Sequence, residues 1–222
     1  GDGRARRQPV AGGGDEALRQ LLRTVHGDLP GAVPERRIGE KGEVALGVSD
    51  LSVASPIPFG TSLKGISFTV AKGEVLGIAG VAGNGQEELL LALSGELRSG
   101  PDKVRIAGHA AGDLGPVERR KAGLVAAHED RYGHAAAPDM SLVENAFLTA
   151  GVRKGLTKNG FVDWPGTRKF AEEIIAAYDV RTPGPDVAAR ALSGGNLQKF
   201  LMGRELNQGA SVIVINQPTW GV

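Results

Sequence analysis

One stretch constrains the fold of this 222-residue chain more than any other. It is Leu192-Ser193-Gly194-Gly195-Asn196-Leu197-Gln198-Lys199, followed by the apolar run Val212-Ile213-Val214-Ile215 and by Asn216-Gln217-Pro218-Thr219. The pattern predicts a helix from about Asn196 to Leu206 and then a strand. The strand has no polar position, as expected of one buried on both faces of a parallel sheet. Ser193 and the N–H groups of Gly194 and Gly195 fall at the start of the helix. Unpaired N–H groups and the positive end of the helix dipole favour a phosphate there. The two residues after the strand are an amide pair, Asn216 and Gln217, with no carboxylate.

Gly80-Val81-Ala82-Gly83-Asn84-Gly85-Gln86-Glu87 carries a related message. It follows the apolar run Val75 to Ala79, which reads as a short strand, and it opens a helix from Glu87 to about Ser94. The pattern G-x-x-x-x-G-K-[ST] uses glycines so that backbone N–H groups can wrap phosphates. Its Lys reaches the β/γ-phosphates and its hydroxyl ligates magnesium. Here Gly80, Gly83, Asn84 and Gly85 supply the loop, Gln86 stands at the Lys position and Glu87 at the Ser/Thr position. Alone, such a loop is equally well a strand-to-helix turn with no phosphate duty. The later Ser-Gly-Gly helix and Val/Ile strand favour the phosphate reading.

Composition excludes several alternatives. The net charge of +1 gives no reason to expect nucleic acid or a membrane-surface field. With no cysteine, a disulfide scaffold and thiolate metal sites are ruled out, which fits a cytoplasmic address. No apolar run approaches the ~18 residues of a spanning helix. The basic start Gly1 to Arg7 has no apolar stretch behind it and does not read as a secretory signal.

Breakers divide the chain. Residues 1–42 are rich in Gly, Ala, Pro and Arg, with only Ala17 to Val25 able to form a short helix; they read as a linker or the tail of a preceding domain. From Glu43, alternation at Val44, Leu46, Val48 and again at Ile66, Phe68, Val70 predicts two half-buried strands before a turn at Lys72-Gly73. Short strands are expected at Val104 to Ile106 and Gly123 to Ala127, with a helix from Pro116 to Lys121 between them. Residues 141–180 look helical, and Trp164, Phe170, Ile174 and Tyr178 form a core-facing stripe.

Taken together, GVAGNGQ, His128-Glu129-Asp130-Arg131, Asp139 to Asn145, LSGGN and NQPTWGV make residues 43–222 resemble a known family. It is the second of two fused nucleotide-binding domains in bacterial ABC importers for simple sugars and nucleosides. The resemblance implies an α/β P-loop NTPase core of ABC type with a mainly parallel sheet. It also implies an N-terminal antiparallel β subdomain and a helical signature subdomain at about residues 131–195. ATP and magnesium (Mg) are the implied cofactors. The implied partners are another ABC nucleotide-binding domain, transmembrane permease subunits and, indirectly, a substrate-binding protein, at the cytoplasmic face of the bacterial inner membrane. Glu129 falls where an ordinary ABC domain has the Gln of its Q-loop, and His128 replaces the Pro common there; it reads as a surface or hinge residue. Phe59 reads as a core residue, with adenine stacking as the alternative.

In such a site Gln86 keeps a hydrogen-bond donor but loses the cation of the usual Lys. Asn216 brings no negative charge to the metal, and Gln217 cannot take a proton from water, a loss of about 10²–10⁴-fold in rate. Glu87 is the one carboxylate among these four positions. It reads equally as a partial replacement for the acidic group near the metal or as a complement to the helix N-terminus. The resemblance therefore implies that Ser193, Gly194 and Gly195 complete the partner domain's ATP site, while Gly80, Gly83, Gly85 and Gln86 form a hydrolytically impaired local cradle. A non-catalytic nucleotide-sensing half domain remains the alternative, and a soluble ABC protein acting on ribosomes or DNA is a more distant one. Because the family continues beyond Val222 with a strand between Val75–Ala79 and Val212–Ile215, the sheet is expected to be incomplete at the C-terminus and the chain to be aggregation-prone alone.

Overall fold

The computed structural model describes residues 42–56, 58–128 and 132–217. The expectations for residues 1–41, for Glu129 to Arg131 and for Pro218 to Val222 lie outside the described residues.

Alternating apolar residues build the first layer. β1 (Val44–Val53) pairs antiparallel with β2 (Leu63–Ala71) and with β3 (Val104–Ile106), and β4 (His109–Ala110) completes the order β2-β1-β3-β4. Register shifts between Val44 and Leu46 and between Val48 and Leu51 accompany the burial of Ala45, Leu46, Val48 and Leu51, whereas Val44 is exposed. Behind this sheet runs α1 (Gln86–Ser94), buried along nearly its whole length from Glu88, as a helix apolar all round must be. Leu89, Ala92 and Leu93 join the β1 and β3 residues in one hydrophobic core.

A second core is helical. It gathers α3 (Leu142–Ala150), α4 (Trp164–Ala177) and α5 (Gly194–Leu206) around Leu142, Phe170, Ile174, Leu197 and Phe200. The expected single helical stretch over 141–180 is two helices, separated by a hairpin of β6 (Thr157–Lys158) and β7 (Phe161–Val162). Asp163 caps α4 by accepting the Gly166 N–H. Of the expected stripe, Phe170, Ile174 and Tyr178 are buried, but Trp164 sits at the helix start, tilted against Phe147 and 48% exposed.

α2 (Pro116–Ala122) leads into β5 (Leu124–Ala127), which pairs in parallel with β8 (Val212–Ile215). This pair spans both cores. Leu124 and Val212 pack into the first, Ala127 and Ile215 against the second. Val75 to Ala79 departs from expectation. It belongs to no strand, and Val75, Leu76 and Ile78 are exposed. An apolar run becomes a strand only when a neighbour takes its N–H and C=O groups, and among the described residues no ladder reaches this one.

Two buried polar hubs lock elements together. Arg119 has no solvent exposure and donates to the carbonyls of Ala92, Leu93, Gly112 and Leu114, tying the end of α1 to α2. Burial pulls its guanidinium down to about 10. Glu205 accepts from Arg120 at 2.6 Å, Thr149 at 2.7 Å, Arg204 at 2.9 Å and Gln208 at 2.9 Å, joining α2, α3 and α5.

Candidate functional site

The glycine loop has the backbone of a phosphate cradle and a side chain unsuited to one. Gly83 and Gly85 have φ of +85° and +96°, which only glycine adopts without strain, and they swing the chain into the first turn of α1. Gly85 is the N-cap and has no side chain, so no side-chain cap closes the first N–H groups of α1. Gln86 folds back onto its own loop. Its Nε2 donates to Val81 O at 3.1 Å, and its Oε1 accepts the Asn84 N–H at 3.1 Å. A Cβ at Gly80 would stand 2.6 Å from that Nε2, so Gly80 makes room for the amide. The loop geometry fits a phosphate, but no hydrogen bond or ion pair among the described residues brings a cation to it. Glu87 is exposed in the first turn of α1, where its charge complements the dipole.

Sequence reasoning missed the next residue. Glu88 is buried and accepts from Ser55 Oγ and the Thr61 N–H at 2.8 Å each, while Thr61 Oγ1 donates to Gly83 O. Burial raises its carboxyl, but its own backbone N–H and these two bonds together outweigh that and hold it below the usual carboxylate range. A buried carboxylate so paired anchors the β1–β2 connection on the glycine loop. That connection carries Phe59, which is wholly exposed. The core reading of Phe59 is therefore overturned: a positive φ of 63° and a position in a turn beyond the strand ends keep it out of the sheet.

At the other predicted edge, Ser193 is the N-cap of α5, and Gly194 and Gly195 form its first turn. Asn216 extends the β5–β8 pairing by donating its N–H to Ala127 O at 3.0 Å. Gln217 follows, exposed, with φ of +45°. No hydrogen bond or ion pair among the described residues links Gly80–Glu87 to Ser193–Gly195. The helix behind each edge is anchored in a different core. The two edges are therefore separate.

A third cluster lies where β5 ends. His128 is mostly buried, donates to Glu96 at 2.9 Å and stacks on His134 with ring centroids 5.2 Å apart. The expected surface or hinge histidine thus has partners, both supplied by tertiary packing. Glu96, Arg120, His128, His134, Thr149 and Glu205 line a cavity of about 210 Å³ beside the helical core. Burial pushes the His128 pKa down, Glu96 and Glu205 oppose this, and His134 and Arg120 reinforce it. His128 therefore takes its proton at lower pH in the folded protein than the roughly 6.5 of an unfolded histidine. Stability falls as pH drops below about 6.5, because the unfolded chain then binds this proton more readily than the folded one. His128→Asn is expected to flatten the stability slope between about pH 6.5 and 5. An unchanged slope in urea unfolding across that range would refute the assignment.

Among the described residues no group of three or more His, Asp or Glu is arranged to hold a metal ion. None of their helices is long and apolar enough to cross a membrane.

These features are those of one family, and comparison decides it: residues 63–220 match the family model described as ABC transporter. The chain belongs to the ABC transporter family. Among curated relatives it is 34% identical over 211 residues to the ribose import ATP-binding protein RbsA 1 of Rubrobacter xylanophilus, covering 95% of this chain and 40% of that protein. It is 33% identical to the guanosine import ATP-binding protein NupO of Bacillus subtilis, over 85% of this chain and 37% of the relative. With the nucleoside import ATP-binding protein NupA of Lactococcus lactis it shares 28% identity, over 94% and 41%. The chain thus spans about two fifths of the length of the relatives it matches. An ATP-binding cassette solved as a dimer in a post-hydrolysis state with ADP and Pi superposes with a TM-score of 0.64 at 20% identity, over 80% of this chain and 75% of that one. The fold is that of an ABC cassette, α/β with an antiparallel β subdomain.

Proposed function

We propose that this ABC transporter domain is the degenerate second nucleotide-binding domain of an importer for simple sugars or nucleosides. In this reading residues 1–42 are a linker or the tail of a preceding domain, and residues 43–222 form the cassette with a helical subdomain at about 131–195. Ser193, Gly194 and Gly195 complete the ATP site of a partner nucleotide-binding domain. The local cradle of Gly80, Gly83, Asn84, Gly85 and Gln86 holds ATP weakly or statically. Glu87 is the carboxylate these positions offer to magnesium. Asn216 and Gln217, at the degenerate Walker B positions, and Glu129, at the Q-loop position, complete the assignment. Transmembrane permease subunits dock on the assembled domains at the cytoplasmic face of the inner membrane, fed by a substrate-binding protein. The relatives named for ribose, guanosine and nucleoside import support the solute class.

The observation that carries this reading is the contrast between the two half sites. At the Ser193 edge no side chain among the described residues caps the helix N–H groups. The glycine loop has spent its Lys position on an amide bound to its own backbone. With neither cation nor base, the folded domain alone should turn over ATP no faster than buffer does. Phosphate release from the purified chain, with circular dichroism as a check of folding, tests this. Turnover at an ordinary enzymatic rate of about 1–10 per second would overturn the degenerate-site reading.

A further inference from the structure

A serine at a helix N-cap ordinarily turns its hydroxyl back to accept an N–H from the second or third residue of the helix. Ser193 caps α5 without doing so. Its Oγ lies 2.9 Å from Nδ2 of Asn196, one turn into the helix. The other end of that amide is occupied too, because Asn196 Oδ1 accepts the backbone N–H of Arg181 at 2.8 Å.

The backbone bond settles which way the amide points. An N–H can only donate, so the oxygen of Asn196 must face Arg181 and the NH₂ must face Ser193. An NH₂ can only donate in turn, so the Ser193 oxygen accepts and its own proton is available to another acceptor. Two consequences follow at the start of α5. The hydroxyl proton is left to donate away from the Asn196 amide, and no side-chain cap closes the N–H groups at the positive end of the helix. A hydroxyl and backbone N–H groups then present donors of one sign to the same approaching oxygen.

We infer that Asn196 is a positioning residue for this edge: bridging Arg181 and Ser193, it sets the Ser193 hydroxyl as a donor to a phosphate oxygen and leaves the α5 N–H groups uncapped. The inference rests on the reading of Ser193 as half of a partner's ATP site. Asparagine suits the task because one planar group must accept at one end and donate at the other.

The test is ATP turnover at saturating nucleotide by the assembled two-domain protein, comparing Ser193→Ala, Asn196→Ala, Asn196→Asp and the double variant Ser193→Ala/Asn196→Ala. Aspartate is nearly isosteric and keeps the bond from Arg181, but its second oxygen captures the Ser193 proton and adds a negative charge beside the phosphate. The expected order is a loss of about tenfold for Asn196→Ala and about a hundredfold for Asn196→Asp, with the thermal midpoint of Asn196→Asp near wild type. The double variant should be no worse than Ser193→Ala alone, since both remove the same oriented donor. A merely structural role predicts the reverse order, with the isosteric aspartate the milder change, and that result would overturn the inference. So would additive losses in the double variant, or wild-type turnover in both Asn196 variants while Ser193→Ala is impaired. Wild-type turnover in Ser193→Ala would instead remove the composite-site reading beneath it.

Discussion

Ser193→Arg is expected to abolish ATP turnover by the assembled two-domain protein, while Asn216→Ala leaves most of it. Ser193 sits at the cap of α5 with Gly194 and Gly195 behind it, and no side chain closes the helix start. Arginine there fills the space a phosphate must enter. It also removes an oriented donor, and one donor aimed at developing charge is worth about 10²–10³ in rate. The bulk adds misalignment of a site assembled from two domains, where small displacements carry large penalties. In the proposed reading Asn216 belongs to the local site, and its backbone N–H donates to Ala127 O. Truncating its side chain therefore leaves the β5–β8 pairing intact and removes a group that carries no charge. Steady-state ATPase assays on the two variants decide the matter. Equal damage from both would show that the local site takes part in turnover.

The parts of the fold visible in the sequence are those set by local periodicity. The strands at Val104–Ile106 and Val212–Ile215 fall on their predicted residues, and the helices at 86–94, 116–122 and 194–206 on theirs to within two residues. Each is short and bounded by Gly, Pro or a polar cap. What depended on distant partners was not visible. Val75 to Ala79 has a strand's composition, but strand formation depends on a neighbour's hydrogen bonds, which no local pattern reports. His128 looked unpartnered because Glu96 and His134 reach it only through packing. Phe59 looked like core because it is aromatic, yet it stands outside the sheet. One missed signal was local. Ser141 and Glu144 form a reciprocal capping box, readable as S-x-x-E before an apolar run, and it places the start of α3. In the candidate site, residue types at the motif positions were legible. The back-folded amide of Gln86 and the Arg181–Asn196–Ser193 bridge were not, since both concern where an amide points.

The largest expected effect on stability comes from Glu205→Leu. Glu205 lies almost fully buried between Arg204, buried to the same degree, and the partly buried Arg120. Burial alone would raise its carboxyl, but Arg204 and Arg120 more than offset that and hold it below the usual range. Leucine of similar volume avoids a cavity, so the loss is electrostatic. Two guanidinium groups remain in the interior with their shared counter-ion gone, and Thr149 and Gln208 lose an acceptor. Breaking a buried pair from one side costs about 3–5 kcal/mol, a large part of the ~5–15 kcal/mol of a typical domain. The midpoint of urea unfolding should fall accordingly, and Arg204→Met added to Glu205→Leu should recover part of the loss, because the stranded charge leaves with its partner. The acid limb supplies a separate check. A carboxyl whose folded pKa is depressed contributes fully above its unfolded value of about 4.3 and loses that contribution as pH falls through the folded value. Glu205→Leu should therefore be less sensitive to acid below about pH 4.3 than the parent, although weaker at neutral pH. A variant within about 1 kcal/mol of wild type at pH 7, with an unaltered acid limb, would show that water or rearranged side chains already serve the two arginines.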